Sequence, residues 1–172
     1  MRGDFLEHTF QKTFDAVTFW AVLEHLIEPK RFLEKAESIL KPGGFCFILV
    51  PNMKSLAVRS IGQCYRYIYP QHLNYFTATT LRRFVGDFFE VVELRFTHFN
   101  PIVIWQDWRR GGVEISNQER GRLLKRTTAY KEKPAIKPVK ALYQLTEKGL
   151  ALFGLTDNAA GVFRKPPTDN RD

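Results

Sequence analysis

Two apolar segments, joined by an amphipathic helix and a glycine turn, constrain this chain more than anything else in it. Residues 14–19 (FDAVTF) form a short run rich in strand formers, with Asp15 its only charge. Pro29 suits the first turn of a helix. Phe32, Leu33, Ala36, Ile39 and Leu40 then recur at helical spacing and make one apolar face. Lys30, Arg31, Glu34, Lys35 and Glu37 occupy much of the rest. Lys41-Pro42-Gly43-Gly44 predicts the end of the helix and a turn. Residues 45–50 (FCFILV) follow, six consecutive apolar positions. Strand, helix, turn and second apolar strand make a βαβ unit, which places the chain in the α/β class. The continuous apolarity predicts two largely buried strands with helices over both faces.

The remaining segments extend this unit. Residues 54–68 predict a helix with Leu56, Ala57, Ile61, Cys64, Tyr65 and Ile68 on its apolar side, although Gly62 interrupts it. Residues 69–76 (YPQHLNYF) form an aromatic loop. Thr77 or Thr79 suits the cap of a short helix that turns Leu81, Phe84 and Val85 inward. Residues 88–96 predict another strand. A helical pattern covers 138–152, and a short strand covers 160–164. The length of 172 residues suits one domain. Its expected parts are a core at 1–100, a basic insertion at about 101–137, and a last helix and strand at about 138–166.

Composition excludes several classes. Hydrophobic residues make up 44% of the chain, a globular proportion. No apolar run reaches the length of a membrane span, and the amino terminus carries no apolar signal segment, so a cytoplasmic setting is expected. Cys46 and Cys64 are too few for a disulfide scaffold and are spaced for neither zinc nor a redox pair. The 26 basic residues outnumber the 18 acidic ones, giving +8. The excess is local: residues 109–140 carry 10 basic and 3 acidic residues. That stretch suits a solvated insertion, or contact with phosphate or an anionic membrane surface. It matches no nucleic-acid-binding motif.

In open α/β sheets, ligands bind beyond the carboxyl ends of strands. Three segments are therefore candidates: residues 18–25, residues 50–52 and the loop around His72. Glu24-His25 is the densest chemistry. Imidazole accepts a proton near neutral pH, and His with Glu can ligate a divalent metal. Each residue also has a structural reading. Glu24 fits a helix start or a salt bridge, His25 a structural hydrogen bond, and His72 packing against Tyr69, Tyr75 and Phe76. Cys46 fits a buried small hydrophobe.

The run from Phe14-Asp15-Ala16-Val17 through Leu23-Glu24-His25 to Lys41-Pro42-Gly43-Gly44 and Pro51-Asn52 resembles class I S-adenosylmethionine-dependent methyltransferases. The resemblance covers residues 4–96. Its nearest branch holds the ubiquinone-biosynthesis O-methyltransferases and their small-molecule relatives. Gly161-Val162-Phe163-Arg164-Lys165-Pro166 is similar to that branch's last strand. The resemblance implies a partial Rossmann-like sheet in a three-layer αβα arrangement, with residues 14–19 as the fourth strand of the usual seven. It implies S-adenosylmethionine as cofactor, with Asp4 and Phe5 near the adenine, and Phe19 and Trp20 near the methionine end. It implies a small methyl acceptor, hydroxyl or amine, of aromatic or lipidic kind, with Glu24, His25 and His72 on the acceptor side as the catalytic set. Some relatives gather a divalent metal with a Glu, a Glu-His pair and a distant His. Glu24, His25 and His72 match three of those positions, but Ala21 stands at the first, so no resident metal is expected.

The family's glycine-rich loop and its ribose-binding acidic residue have no counterpart in this sequence. The expectation is therefore the carboxyl-terminal part of a methyltransferase domain, lacking the first three strands and binding S-adenosylmethionine poorly alone. A separate amino-terminal half, or a second copy of the chain, would cover its open sheet edge. The alternatives are a non-catalytic partner subunit and an inactive fragment. Peripheral contact with a membrane is the remaining expected partner.

Overall fold

The computed structural model describes residues 4–111 and 137–167. Their sheet has four strands: β1 (Phe14–Trp20), β2 (Leu40–Pro51), β3 (Glu90–Thr97) and β4 (Asn158–Arg164). The spatial order is β1-β2-β4-β3. β1 and β2 are parallel, and β4 runs antiparallel to both of its neighbours. β1, β2 and β3 therefore end at the same edge of the sheet. α1 (Pro29–Ile39) connects β1 to β2, while α2 (Leu56–Ile61) and α3 (Ala78–Val85) connect β2 to β3. α4 (Pro101–Arg110) follows β3, and α5 (Lys137–Leu152) precedes β4. Short 3-10 turns occupy Leu23–His25 and Gly62–Cys64.

One face of the sheet carries the core. Val17 and Phe19 of β1 pair with Cys46 and Ile48 of β2, which pair with Phe163 and Gly161 of β4. Leu33 and Ala36 of α1, with Leu81 and Val85 of α3, join this same fully buried cluster. α1 starts with Pro29 at its first turn, and α3 starts with a capping box between Thr77 and Thr80. Gly161 leaves room for the Phe163 ring. A Cβ on Gly161 would lie 2.2 Å from Cε2 of that ring. The ring is wholly buried and cannot swing aside. Gly161→Ala should therefore cost about 1–3 kcal/mol, read as a lower urea midpoint at unchanged m-value. An unchanged midpoint would show that the ring can move.

The other face differs from expectation. Asp15, Ala16, Thr18 and Trp20 of β1 are exposed, although a largely buried strand was predicted. Phe45 of β2 is exposed on the same side. Among the described residues, no strand pairs with the outer edge of β1, because its one sheet neighbour is β2. The apolar sequence of β1 suits a strand enclosed on both faces, and here one face and one edge stay open.

Three other details depart from the sequence reading. The Lys41–Gly44 turn is absorbed into the start of β2 as an irregularity in its pairing with β1. The helix predicted at 54–68 ends at Ile61, because Gly62 adopts φ 53°, outside helical geometry. Residues 101–110, expected within an insertion, form α4. Asn100 accepts the Val103 N–H, Pro101 opens the helix and left-handed Gly111 closes it. The basic residues beyond Gly111 lie outside the described residues as far as position 136.

Candidate functional site at the carboxyl edge of the sheet

The segments that leave β1 and β2 meet at this edge. Leu73 and Asn74 donate backbone N–H groups to the Glu24 carbonyl at 2.7 and 3.0 Å. The Asn74 amide donates to the carbonyls of Leu23 and Leu26 at 3.0 and 2.6 Å. The 3-10 turn after β1 is thereby clamped to the aromatic loop after α2. Asn52, buried at the end of β2, donates to the carbonyls of Gly154 and Thr156 and holds the segment before β4. Sequence reasoning named neither asparagine's role. The signal was there: each is an amide flanked by apolar residues at a strand end or loop.

This clamp brings Glu24, His25 and His72 together. One ligand atom from each lies within 4.8 Å of the others. His25 Nδ1 meets the Gln71 carbonyl at 2.9 Å, and His72 Nδ1 meets the Tyr67 carbonyl at 2.7 Å. A carbonyl only accepts, so both Nδ1 atoms carry protons, and in its neutral form each ring has its lone pair on Nε2. The two rings stand 4.6 Å apart between centroids. Tyr69 packs 4.2 Å from His72, as the packing reading expected. Glu24 is 1% exposed, and its Oε2 has no hydrogen-bond partner. Burial raises its pKa, against smaller opposing effects of a backbone hydrogen bond and the His25 charge.

Two Nε2 lone pairs and an unpartnered buried carboxylate oxygen fit a divalent cation. Metal–ligand bonds of about 2.1 Å set donors roughly 3–4 Å apart, so the set would have to close by about 1–2 Å. The remaining position, Ala21, is held at φ 52°, a left-handed conformation that non-glycine residues seldom adopt.

A second buried carboxylate was missed. Asp157 is 1% exposed and stands just before β4. Its backbone N–H donates to the His98 carbonyl at 2.7 Å, and its carbonyl accepts from Asn52 N–H at 2.8 Å. Burial pushes its carboxyl up to about 7, outweighing the Tyr65 hydroxyl and the Asn100 N–H, which favour the charged form. Nothing in Leu155-Thr156-Asp157-Asn158 distinguishes this residue from a loop aspartate. Cys46 behaves as predicted for a buried hydrophobe, its thiol pushed up to about 12 by burial.

The four residues expected near the cofactor are divided. Asp4 is exposed, and its Oδ1 accepts the Leu6 N–H at 2.8 Å. Phe5 stacks on Phe32 at 5.7 Å and meets Phe19 edge-on at 6.0 Å. Phe19 points into the core, so only its main chain faces the strand end. Trp20 is 54% exposed on the open face. No glycine follows β1 in the sequence until Gly43; the left-handed residue there is Ala21. The described residues hold no glycine cradle after β1, and they do not fit S-adenosylmethionine by themselves.

A mixed sheet of this order, with helices crossing between parallel strands and a polar cluster at its carboxyl edge, is a Rossmann-like α/β fold. Residues 4–94 match the family described as Methyltransferase domain, and the chain belongs to that family, whose cofactor is S-adenosylmethionine. It is 41% identical over 54 residues to the ubiquinone biosynthesis O-methyltransferase of Caulobacter vibrioides, which covers 30% of this chain and 21% of that protein. It resembles the structure of a SAM dependent methyltransferase from Archaeoglobus fulgidus, with TM-score 0.55 and 18% identity, over 96% of this chain and 66% of that one. It also resembles the [4+2]-cyclase SpnF, with TM-score 0.52 and 14% identity, over 96% of this chain and 56% of that one. The chain thus spans about a fifth of the curated relative and less than two thirds of the cyclase. A cyclase among these neighbours shows that the fold alone does not set the reaction.

Proposed function

We propose that this chain carries the acceptor side of an S-adenosylmethionine-dependent methyltransferase acting on a small hydroxyl or amine. The observation that carries the reading is the Glu24–His25–His72 cluster, seated beyond β1 with both Nδ1 atoms pinned. His72 or His25 takes the acceptor proton at Nε2, and the buried Glu24 carboxylate stabilises the resulting imidazolium. The exposed Trp20 and the loop tyrosines Tyr69 and Tyr75 favour an aromatic or apolar acceptor. A separate amino-terminal half would bring the cofactor cradle, as a parallel strand along β1 with a helix on the open face. That same open edge also suits a non-catalytic subunit docked on a complete enzyme, which is the second reading.

The same three residues would hold a divalent metal at Glu24 Oε2 and the two Nε2 atoms. Such an ion supplies Lewis acidity that favours an ionised acceptor hydroxyl. Calorimetric titration of the full chain with Mn²⁺ or Zn²⁺ should show saturable binding, weakened about tenfold or more by Glu24→Gln and by His72→Ala. Equal binding by the native chain and both variants would remove the metal from this site and leave the two histidines as bases.

A further inference from the structure

α4 turns its largest apolar side chains outward. Ile102, Trp105 and Trp108 recur every three residues and are 44%, 53% and 63% exposed. Val103 and Asp107 face inward instead. Asp107 is held by Arg66 through its Nε and Nη2 atoms and its backbone N–H. This pair fixes the helix rotation, because turning the tryptophans inward would pull a buried carboxylate off its partner. The outward stripe is therefore built into the fold. Beside it runs an apolar groove of about 410 Å³ between α2 and α4, lined by Leu56, Ile61, Phe99, Ile104 and the two tryptophans.

Two arginines stand by this stripe. Arg109 lies 5.0 Å over the Trp105 ring, and Arg59 stands in the last turn of α2. The acidic residue of α4 is Asp107, which Arg66 occupies. Residues 109–140, which continue from the helix, carry 10 basic and 3 acidic residues. Exposed tryptophans flanked by arginines suit the boundary between lipid headgroups and acyl chains, where each ring keeps its N–H wet and its face dry. A second copy of the chain docked two-fold on this stripe would bring the arginines of both copies into one interface, with like charges close together.

We infer that α4 is a membrane-surface anchor: Trp105, Trp108 and Ile102 enter the interface of an anionic bilayer, and the arginines meet its phosphates. α4 follows the carboxyl end of β3, so a docked bilayer lies at the same sheet edge as Glu24, His25 and His72. The inference does not depend on the methyl-transfer reading, and its failure would leave that reading intact.

The test uses the full chain carrying Trp20→Phe, so that Trp105 and Trp108 are the remaining tryptophans. Vesicles of phosphatidylcholine mixed with phosphatidylglycerol should shift the tryptophan emission to the blue and sediment the protein. Pure phosphatidylcholine should do neither at the same lipid concentration, and high salt should release the protein. Trp105→Ser with Trp108→Ser should weaken sedimentation roughly tenfold or more without changing the far-ultraviolet spectrum. Arg109→Glu, which keeps both reporters, should weaken binding to anionic vesicles by about tenfold. No binding to either vesicle, or equal binding to both, overturns the inference. A blue shift that grows with protein concentration without lipid, together with a dimer mass by light scattering, overturns it in favour of a second copy.

Discussion

Raising the pH from 5 to 8 should cost this chain roughly 2–3 kcal/mol of folding stability, and Asp157→Asn should abolish most of that loss. The direction follows from proton counting. Asp157 holds its proton up to about pH 7 when folded, whereas an unfolded aspartate releases it near pH 4. Between those values the folded state binds more protons. Stability is thus fully present below the unfolded pKa and declines as pH rises through the folded one. The interval corresponds to about 4 kcal/mol in total, most of it between pH 4 and pH 8. Asparagine keeps the shape and needs no ionisation, so the variant should match or exceed the native chain at pH 8. Urea unfolding at several pH values measures both profiles. Parallel profiles would show that Asp157 ionises freely in the folded chain.

Asp107→Asn should destabilise by about 3–5 kcal/mol, since it strands a nearly buried Arg66 guanidinium without its counter-charge. The Asp107 carboxylate also takes the Arg66 backbone N–H at 3.1 Å, so one substitution loosens both the turn after α2 and the seat of α4. Asp15→Asn is the control. Asp15 pairs with Lys41 at 2.7 Å, but both side chains are in water, and the change should leave the urea midpoint where it was. A midpoint for Asp107→Asn as close to native as that of Asp15→Asn would contradict the role given to the buried pair. The two aspartates are alike in sequence and differ only in what surrounds them.

That contrast explains how much was legible in advance. The βαβ unit was visible because its signals are local: Pro29 at a helix start, a one-sided apolar periodicity and a six-residue apolar strand. The Glu24–His25 pair was visible because a strand end is where an α/β sheet presents chemistry. Its union with His72 depends on Asn74 bridging carbonyls 48 and 51 residues away, which no local pattern encodes. α4 was legible in Asn100-Pro101 and Gly111 but was masked by the basic residues that follow it. The exposed face of β1 could not be read from β1 itself, because an apolar strand looks the same whether its cover is present or not. Asp157 acquires its raised pKa from burial in the folded chain, against the opposing effects of Tyr65 and Asn100, and no local pattern encodes that burial.

The central claim is that these residues form the acceptor side of a methyltransferase site and do not complete its cofactor pocket. Isothermal titration of the full chain with S-adenosylhomocysteine tests it most directly. The account predicts no saturable binding at micromolar concentrations, and recovery of binding when an amino-terminal strand–loop–helix segment of the family is supplied. Micromolar binding by this chain alone would contradict it.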